Sequence, residues 1–355
     1  MRLPKTVLRM AALWAILLGA GAAPAATSGN DPVVPWLAVS TTQMPFARAV
    51  ADRVGRRDPG LREPVPILRD VATAEGFERL CSGAPTLAAV IATRRMTARE
   101  YDRCRAAEVI DVVELTVGLS ALGLVHGAAL PIDGLTSRSL YLAIARMVPR
   151  DGKLVPNPYT SWHEIDPALP AIPIAVALPS PREARRAQFD DAIMEAGCRP
   201  LPEIRSVYGA DKRRQLCIQA RTDGMVQEAD DPAELIRRIA APGSTVLTIL
   251  SLADLRSGAE EGAPAVNAPI SIDGIPPVPD RFLDGRYPLT MATRLYLTRR
   301  ALDQAGGLRD YVAEFLREAA IGPGGYLEPL GLVPLPTDDR RLARRNAANL
   351  RLFAP

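Results

Sequence analysis

Short apolar runs of strand character alternate along this chain with segments of helical periodicity, and this alternation restricts the fold more than any other feature. Residues 36–39 form one such run, and a helical pattern begins near Pro45. Residues 86–93 form another run, followed by a capping-box pattern at Thr97 and Glu100 that opens a helix. Strands that alternate with helices indicate a mostly parallel α/β sheet. We therefore predict an α/β fold.

Two long strand-like runs, residues 109–125 and 287–297, are expected to cross between two lobes and act as a hinge. Lobe I is then predicted to contain residues 33–117 and 291–355, and lobe II residues 118–290. The length of 355 residues and the 48% apolar content suit two such lobes. A cleft between two α/β lobes is a common place for a small ligand.

Two segments of the middle region carry local signals of their own. The prolines at 149, 156 and 158 predict a loop over residues 148–159. Residues 182–197 have the pattern of a helix that ends at Gly197.

The first 26 residues have the pattern of a secretory signal peptide. Arg2, Lys5 and Arg9 form a basic segment, residues 10–21 are apolar, and small residues follow at 23–25. The apolar run is shorter than the roughly 20 residues that span a bilayer, although an uncleaved anchor is an alternative. We expect export to the periplasm.

The charge of the chain argues against a nucleic-acid partner. The formal net charge is +3, from 43 basic and 40 acidic residues, and the signal segment alone holds three of the basic residues. The remaining chain is therefore neutral, whereas proteins held by phosphate contacts are basic.

The four cysteines at positions 81, 104, 198 and 217 allow three pairings. The local pairing, Cys81 with Cys104 and Cys198 with Cys217, is the simplest, and an oxidising compartment would permit it. The spacings do not suit a zinc site, so we predict no metal. Four buried free thiols are the remaining alternative.

Hydroxyl and guanidinium groups are the candidate ligand-binding chemistry. Ser40, Thr41 and Thr42 stand at a strand-to-helix turn, where they could cap the helix or help its amides hold an anion. Arg182, Arg185 and Arg186 form a basic cluster, and arginine forks suit phosphate, sulfate or carboxylate. A solvated helix face is the alternative for Arg182 and Arg185.

Nothing in the sequence predicts an enzyme. His126 and His163 are not in a metal-ligand spacing and are expected to be surface or structural residues. No Gly-x-Ser-x-Gly elbow is present, and the glycines at 322–325 lack the following Lys-Ser or Lys-Thr of a phosphate loop. We expect no catalysis and no cofactor.

The order of motifs resembles the periplasmic phosphate-type substrate-binding proteins of ABC importers, from about Trp36 to Arg341. The motifs are residues 93–104, residues 148–159 (VPRDGKLVPNPY), residues 161–170 (SWHEIDPALP), residues 194–198 (MEAGC) and residues 321–336. The resemblance implies a type II-like fold in which two α/β lobes, joined by two crossing strands, close over an anion.

The resemblance also implies a set of site residues. The family's Gly-Ser-Ser-Thr loop aligns with Val39 and the three hydroxyls that follow it, and the family's Ser-Arg pair aligns with Thr93 and Arg94. The glycine-rich second loop is residues 72–76 here, and it keeps only the hydroxyl of Thr73. The Thr-Ser-Gly-Thr-Arg motif aligns with residues 182–186, which keep the arginine as Arg186 and add a carboxylate at Glu183.

Taken together, the expected ligand-binding residues are Ser40, Thr41, Thr42, Thr73, Thr93, Arg94, Arg182, Arg185 and Arg186. We expect a monomeric, exported protein that captures a small oxyanion, phosphate first, for the membrane subunits of an ABC importer. The alternative is a degenerate relative that no longer transports and acts as an interaction or regulatory protein in the envelope.

Overall fold

A computed structural model describes residues 35–57, 66–83, 86–229, 231–257, 267–305 and 307–355. The predicted signal peptide lies outside these residues. The strands are β1 Trp36–Val39, β2 Ile67–Asp70, β3 Leu87–Ala92, β4 Val112–His126, β5 Gly134–Leu135, β6 Met147–Arg150, β7 Lys153–Pro156, β8 Val176–Pro179, β9 Val226–Ala229, β10 Leu247–Ser251, β11 Ser271–Ile272 and β12 Thr290–Thr298.

The α-helices are α1 Met44–Arg57, α2 Thr73–Cys81, α3 Ala98–Ala106, α4 Ser137–Ile144, α5 Trp162–Ile165, α6 Ala184–Phe189, α7 Glu195–Cys198, α8 Pro202–Arg205, α9 Ala210–Ile218, α10 Pro232–Ala240, α11 Leu252–Ser257, α12 Pro279–Leu283, α13 Arg299–Gln304, α14 Leu308–Phe315, α15 Glu318–Ile321 and α16 Thr337–Ala348. A 3₁₀ turn, Thr41–Gln43, precedes α1. A π-helical turn, Asp190–Met194, joins α6 to α7. In the described ranges we find no helix with the length and apolar character that a membrane span requires.

Eight strands form one sheet in the order β2-β1-β3-β12-β4-β10-β8-β9. The strands β2, β1 and β3 are parallel, and so are β10, β8 and β9, while β12 and β4 run antiparallel to their neighbours. The parallel runs follow from the strand–helix alternation, because a parallel connection needs a crossover helix. The predicted α/β fold is confirmed.

Strand β4 connects two parts of this sheet. It pairs with β12 from Val112 to Ala121 and with β10 from Leu122 to His126. We call β2, β1, β3, β12 and the first part of β4 the first half-sheet. The last part of β4 with β10, β8 and β9 is the second half-sheet. The two long strands expected from the sequence are therefore β4 and β12. The predicted limits of lobe I and lobe II stay a prediction.

Helices cover both faces of each half-sheet, which explains why β1, β3 and β8 are apolar and buried throughout. In the first half-sheet, α1 and α14 bury Phe46 and Phe315 on one face, and α2 buries Phe77 on the other. In the second half-sheet, Leu235 of α10 packs on one face. On the other face lies a large hydrophobic cluster, which contains the fully buried Trp162.

The local cysteine pairing is confirmed. The disulfide between Cys81 and Cys104 joins α2 to α3, and the disulfide between Cys198 and Cys217 joins α7 to α9. Each bridge closes a short loop and restricts the unfolded chain, which stabilises the fold by about 3 kcal/mol in the chain-entropy account.

Two local predictions are wrong. Residues 148–159 are not a loop throughout, because β6 and β7 form an antiparallel hairpin. Asp151 and Gly152 turn the chain with φ of 51° and 73°, the positive values that a tight hairpin turn needs. The prolines are tolerated because the hairpin is a separate two-stranded sheet, in which both strands are edges. The predicted helix at 182–197 is present, as α6, the π-helical turn and α7. Its predicted end at Gly197 is wrong, because Gly197 lies inside α7, where a Cβ would come within 2.2 Å of the carbonyl oxygen of Ser137.

Candidate functional site

The carboxyl ends of three parallel strands bring the candidate hydroxyls together. Val39 of β1 lies opposite Asp70 of β2 and Ile91 of β3. The amide of Ser40 donates to the carbonyl of Ile91 at 3.0 Å, so the end of β1 is tied to the end of β3. The carboxyl edge of a parallel sheet, where helices begin, is the usual place for a ligand in α/β folds.

Ser40 occupies the N-cap position of the 3₁₀ turn but makes no side-chain capping bond. The residue is only 1% exposed, and among the described residues its Oγ has no hydrogen-bond partner. A buried hydroxyl without a partner costs free energy on the order of 1–3 kcal/mol. The capping interpretation of this hydroxyl therefore does not describe the structure, and Ser40 is left available for a ligand.

The next two hydroxyls have protein partners. Thr41 Oγ1 donates to Asp70 Oδ1 at 2.9 Å near the surface. Thr42 Oγ1 accepts from Gln43 Nε2 at 3.3 Å. The first amides of a helix have no acceptor within it, so the backbone of this corner keeps donors that an anion can use.

Gln43 is a residue of this corner that sequence reasoning missed. Its side chain is fully buried and donates from Nε2 to Ser120 Oγ of β4 at 3.2 Å. Its Oε1 accepts from Thr293 Oγ1 of β12 at 2.6 Å. The side chain thus ties the 3₁₀ turn to both crossing strands. No local pattern could have revealed this, because the partners lie 77 and 250 residues away in the chain.

Thr73 and Thr93 meet beside the same edge. Their hydroxyl oxygens are 3.4 Å apart, and Thr73 Oγ1 accepts from the amide of Thr93 at 3.4 Å. Thr73 is the first residue of α2, whose N-cap, Ala72, has no polar side chain. The two hydroxyls and the uncapped helix start add further donors to the corner.

Arg94 is held within the first half-sheet by Glu100. Its two terminal nitrogens donate to the two carboxylate oxygens of Glu100 at 2.8 and 2.7 Å, and its guanidinium lies 5.3 Å from the centre of the Phe77 ring. Burial alone would raise the pKa of Glu100, but the bonds from Arg94 and Thr97 outweigh it and lower this pKa to about 2. The role of Arg94 as an anion ligand stays a prediction.

Helix α6 brings the second half-sheet to this corner. Cα atoms of α6 lie within 8 Å of Cα atoms of the 3₁₀ turn. Arg185 of α6 is buried and pairs through Nε with Glu183 Oε2 at 2.9 Å and through its terminal nitrogen with Asp254 Oδ2 at 3.4 Å. The structure therefore brings the hydroxyl corner and the segment that carries the basic cluster together.

Glu183 is the N-cap residue of α6. One of its oxygens accepts from Arg185, whereas the other, Oε1, is buried without a hydrogen-bond donor in the described part of the chain. One guanidinium thus stands with two carboxylates, those of Glu183 and Asp254. This group alone does not attract a dianion.

The other two arginines of the cluster have different surroundings. Arg186 is buried and donates to Asp190 Oδ1 at 2.9 Å and to the carbonyl of Pro179 at 3.3 Å. Its Nη1 also lies 3.5 Å from Glu228 Oε1. Its internal partners restrict it, so its assignment as a ligand stays a prediction. Arg182 is exposed, as expected for a solvated position.

Both histidines bond to nearby backbone. A ring nitrogen of His126 lies 2.8 Å from the carbonyl oxygen of Gly127, and one of His163 lies 3.1 Å from that of Leu169. These contacts agree with structural roles.

Comparison with known proteins identifies the fold. A family model described as a PBP superfamily domain matches residues 26–319. No curated protein matches the chain. A structure from Planctomyces limnophilus, described as a possible phosphate binding protein, is 18% identical, with a TM-score of 0.62 over 90% of this chain and 98% of its own.

Two further structures agree with this. An ABC-type phosphate transport receptor from Vibrio cholerae is 12% identical, with a TM-score of 0.54 over 90% of this chain and all of its own. PstS from Borrelia burgdorferi is 13% identical, with a TM-score of 0.55 over 86% of this chain and 99% of its own. At these identities the likeness is one of fold. The chain therefore belongs to the PBP superfamily and has the fold of the phosphate-type substrate-binding proteins.

Proposed function

We propose that this protein is a periplasmic substrate-binding protein that captures a small, protonated oxyanion, phosphate first, and delivers it to the membrane subunits of an ABC importer. The observation that carries the proposal is the buried Oγ of Ser40, which has no hydrogen-bond partner in the part of the chain that the structure describes and lies at a helix start near α6. A ligand at this position would satisfy the hydroxyl and the free amides together.

The first half-sheet supplies neutral donors. The hydroxyls of Ser40, Thr73 and Thr93 and the first amides of the 3₁₀ turn and α2 can surround oxygen atoms without a lysine. Helix starts carry a partial positive charge, which favours an anion there.

The second half-sheet supplies an acceptor. Glu183 Oε1 needs a donor, and a ligand with an O–H group can provide one. Hydrogen phosphate keeps such a group at neutral pH, whereas sulfate has none. Without that bond, two like unit charges at 4 Å and an effective dielectric near 20 repel by about 4 kcal/mol. The site therefore favours phosphate over sulfate.

Isothermal titration with phosphate and sulfate tests the proposal. We expect saturable binding of phosphate, a loss of about tenfold or more in Ser40→Ala, and no loss in Ser82→Ala, whose hydroxyl bonds a carbonyl of α2. Glu183→Gln removes the repulsive charge, so this variant should gain sulfate binding. Asp102→Asn, at a side chain 70% exposed, is its charge-matched control.

Two results would contradict the proposal. Wild-type protein that binds sulfate as tightly as phosphate would show that Glu183 does not select a protonated ligand. Phosphate binding that is unchanged in Ser40→Ala would place the ligand elsewhere.

A degenerate envelope protein without transport is the second candidate. It is favoured by the internal pairing of the expected cations, since Arg94, Arg185 and Arg186 each bond a carboxylate. Silence with every anion in the titrations, together with a protein partner recovered by crosslinking in the periplasm, would support this candidate over the first.

A further inference from the structure

A separate, arginine-lined cavity of about 520 Å³ opens between α7, α8 and α9. Its lining includes Arg199, Arg205, Arg213, Arg214, Glu195 and Ile204. Ile204, which is buried, contributes an apolar side chain to the wall of the cavity. The volume lies within the range of about 300–1,000 Å³ that is usual for small-molecule sites and is much larger than one phosphate ion.

Positive charge dominates this cavity. Glu195 is the acidic residue of the lining, and it pairs with both Arg199 and Arg214. The distance from Arg214 Nε to Glu195 Oε1 is 3.1 Å. Among the lining residues four arginines therefore face one carboxylate, and Asp191 pairs with Arg214 from outside the lining.

The excess is located at Arg205 and Arg213. The side chain of Arg213 is half-buried and donates to the carbonyl of Val207 at 2.8 Å, a neutral partner that orients the guanidinium without neutralising it. Within the described ranges Arg205 has no side-chain partner and is exposed. Guanidinium groups with free donors suit the paired oxygens of phosphate and carboxylate.

The disulfide between Cys198 and Cys217 joins two of the three helices around the cavity. Arg199 follows Cys198 at the end of α7, and Arg213 precedes Cys217 by one helical turn on α9. The bridge therefore fixes α7 and α9, next to or within which Arg199, Arg213 and Arg214 lie, whereas Arg205 lies on α8 between them. Arg213, held by the carbonyl of Val207 on a helix fixed by the bridge, therefore loses little freedom when a ligand binds.

We propose that this cavity binds a small polyanion that carries two or more phosphate or carboxylate groups, independently of the site between the half-sheets. Such a ligand would contact Arg205 and Arg213 with separate anionic groups. The apolar wall at Ile204 would exclude water from one side of the ion pairs and strengthen them.

Titration of the full chain with inorganic tripolyphosphate and, separately, citrate tests this proposal and distinguishes the two kinds of anionic group. We expect saturable binding of at least one probe that weakens at high ionic strength. The double variant Arg205→Gln, Arg213→Gln should bind about 100-fold more weakly, from roughly tenfold for each lost charged contact. Arg205→Gln alone changes an exposed side chain, should fold normally and should show about a tenfold loss.

Lys212→Gln with Arg237→Gln is the matched control, because it removes the same charge from exposed positions outside the lining. This control should keep the affinity within about twofold. The absence of saturable heat with both probes would overturn the proposal. Equal losses in the double variant and the control, or a loss in Ser40→Ala instead, would also overturn it.

Discussion

The ion pair between Arg94 and Glu100 makes a quantitative prediction for the variant Glu100→Gln. Glutamine keeps the length of the side chain and remains a favourable residue for the capping box with Thr97, so the change mainly removes the charge. The hydrogen bonds of the native carboxylate lower its pKa from 4.5 to about 2. The ionised form therefore stabilises the folded state.

The magnitude follows from the difference between these pKa values. Each pH unit corresponds to about 1.4 kcal/mol, so the whole difference sets an upper limit of about 3 kcal/mol. The side chain of Glu100 is 8% exposed but that of Arg94 is 41% exposed, and solvent around the arginine weakens the attraction. We expect Glu100→Gln to lower the free energy of unfolding by about 2 kcal/mol at pH 7.

The pH dependence has a definite sign. A carboxylate whose pKa is lowered by folding stabilises the protein fully above its unfolded value, and this contribution is lost as the pH falls from about 4.5 towards 2. The difference between wild type and Glu100→Gln should therefore shrink over this interval. Urea denaturation followed by circular dichroism at pH 7, 5, 4 and 3 measures it.

Glu78→Gln is the matched control, because Glu78 is exposed on α2. It should change stability by less than about 0.5 kcal/mol at each pH. A difference between wild type and Glu100→Gln that stays constant from pH 7 to pH 3 would refute the electrostatic reasoning. A variant as stable as wild type at pH 7 would refute it as well.

Two further predictions concern the scaffold. Gly118→Ala would place a Cβ 2.5 Å from Leu332 Cδ1, so we expect urea denaturation to show a free energy of unfolding lower by about 1–3 kcal/mol. The loss should be smaller in the background of Leu332→Ala, and an equal loss there would contradict the packing explanation. Replacing both Cys198 and Cys217 by serine should lower the free energy of unfolding by about 3 kcal/mol and lower the Tm. Reduction of that bridge in the wild type should have the same effect. An unchanged Tm would show that the bridge does not stabilise the fold.

Several elements could be predicted because their signals are local. The capping box at Thr97 and Glu100 forms as expected, with both of its hydrogen bonds. Each disulfide joins cysteines about 20 residues apart, as the local pairing expected. The hairpin of β6 and β7 was missed because its prolines are compatible with a strand only when that strand is an edge. The sequence does not say which strands are edges.

The candidate site was only partly predictable for a similar reason. The strand–helix pattern predicted that Ser40 stands where a strand gives way to a helix. The family resemblance added Thr73 and Thr93, and parallel strands end at the same edge of a sheet. The pattern could not show that Glu100 would bind both arms of Arg94, or that Arg185 would meet Asp254, 69 residues later. The availability of an arginine for a ligand depends on such partners.

The sequence alone determined the α/β class and the two long strands, since both follow from periodicity. It favoured the local cysteine pairing only as the simplest of three, and it placed Ser40, Thr41 and Thr42 at a strand-to-helix turn, whereas Thr73 and Thr93 came from the family resemblance. Only the tertiary structure decided that Gln43 ties this turn to β4 and β12 and that Ser40 Oγ has no partner among the described residues. It also decided that several arginines line one cavity beside α9. The physical reason is that burial and pairing of a polar group depend on residues distant in the chain, whose approach is set by the packing of the whole fold.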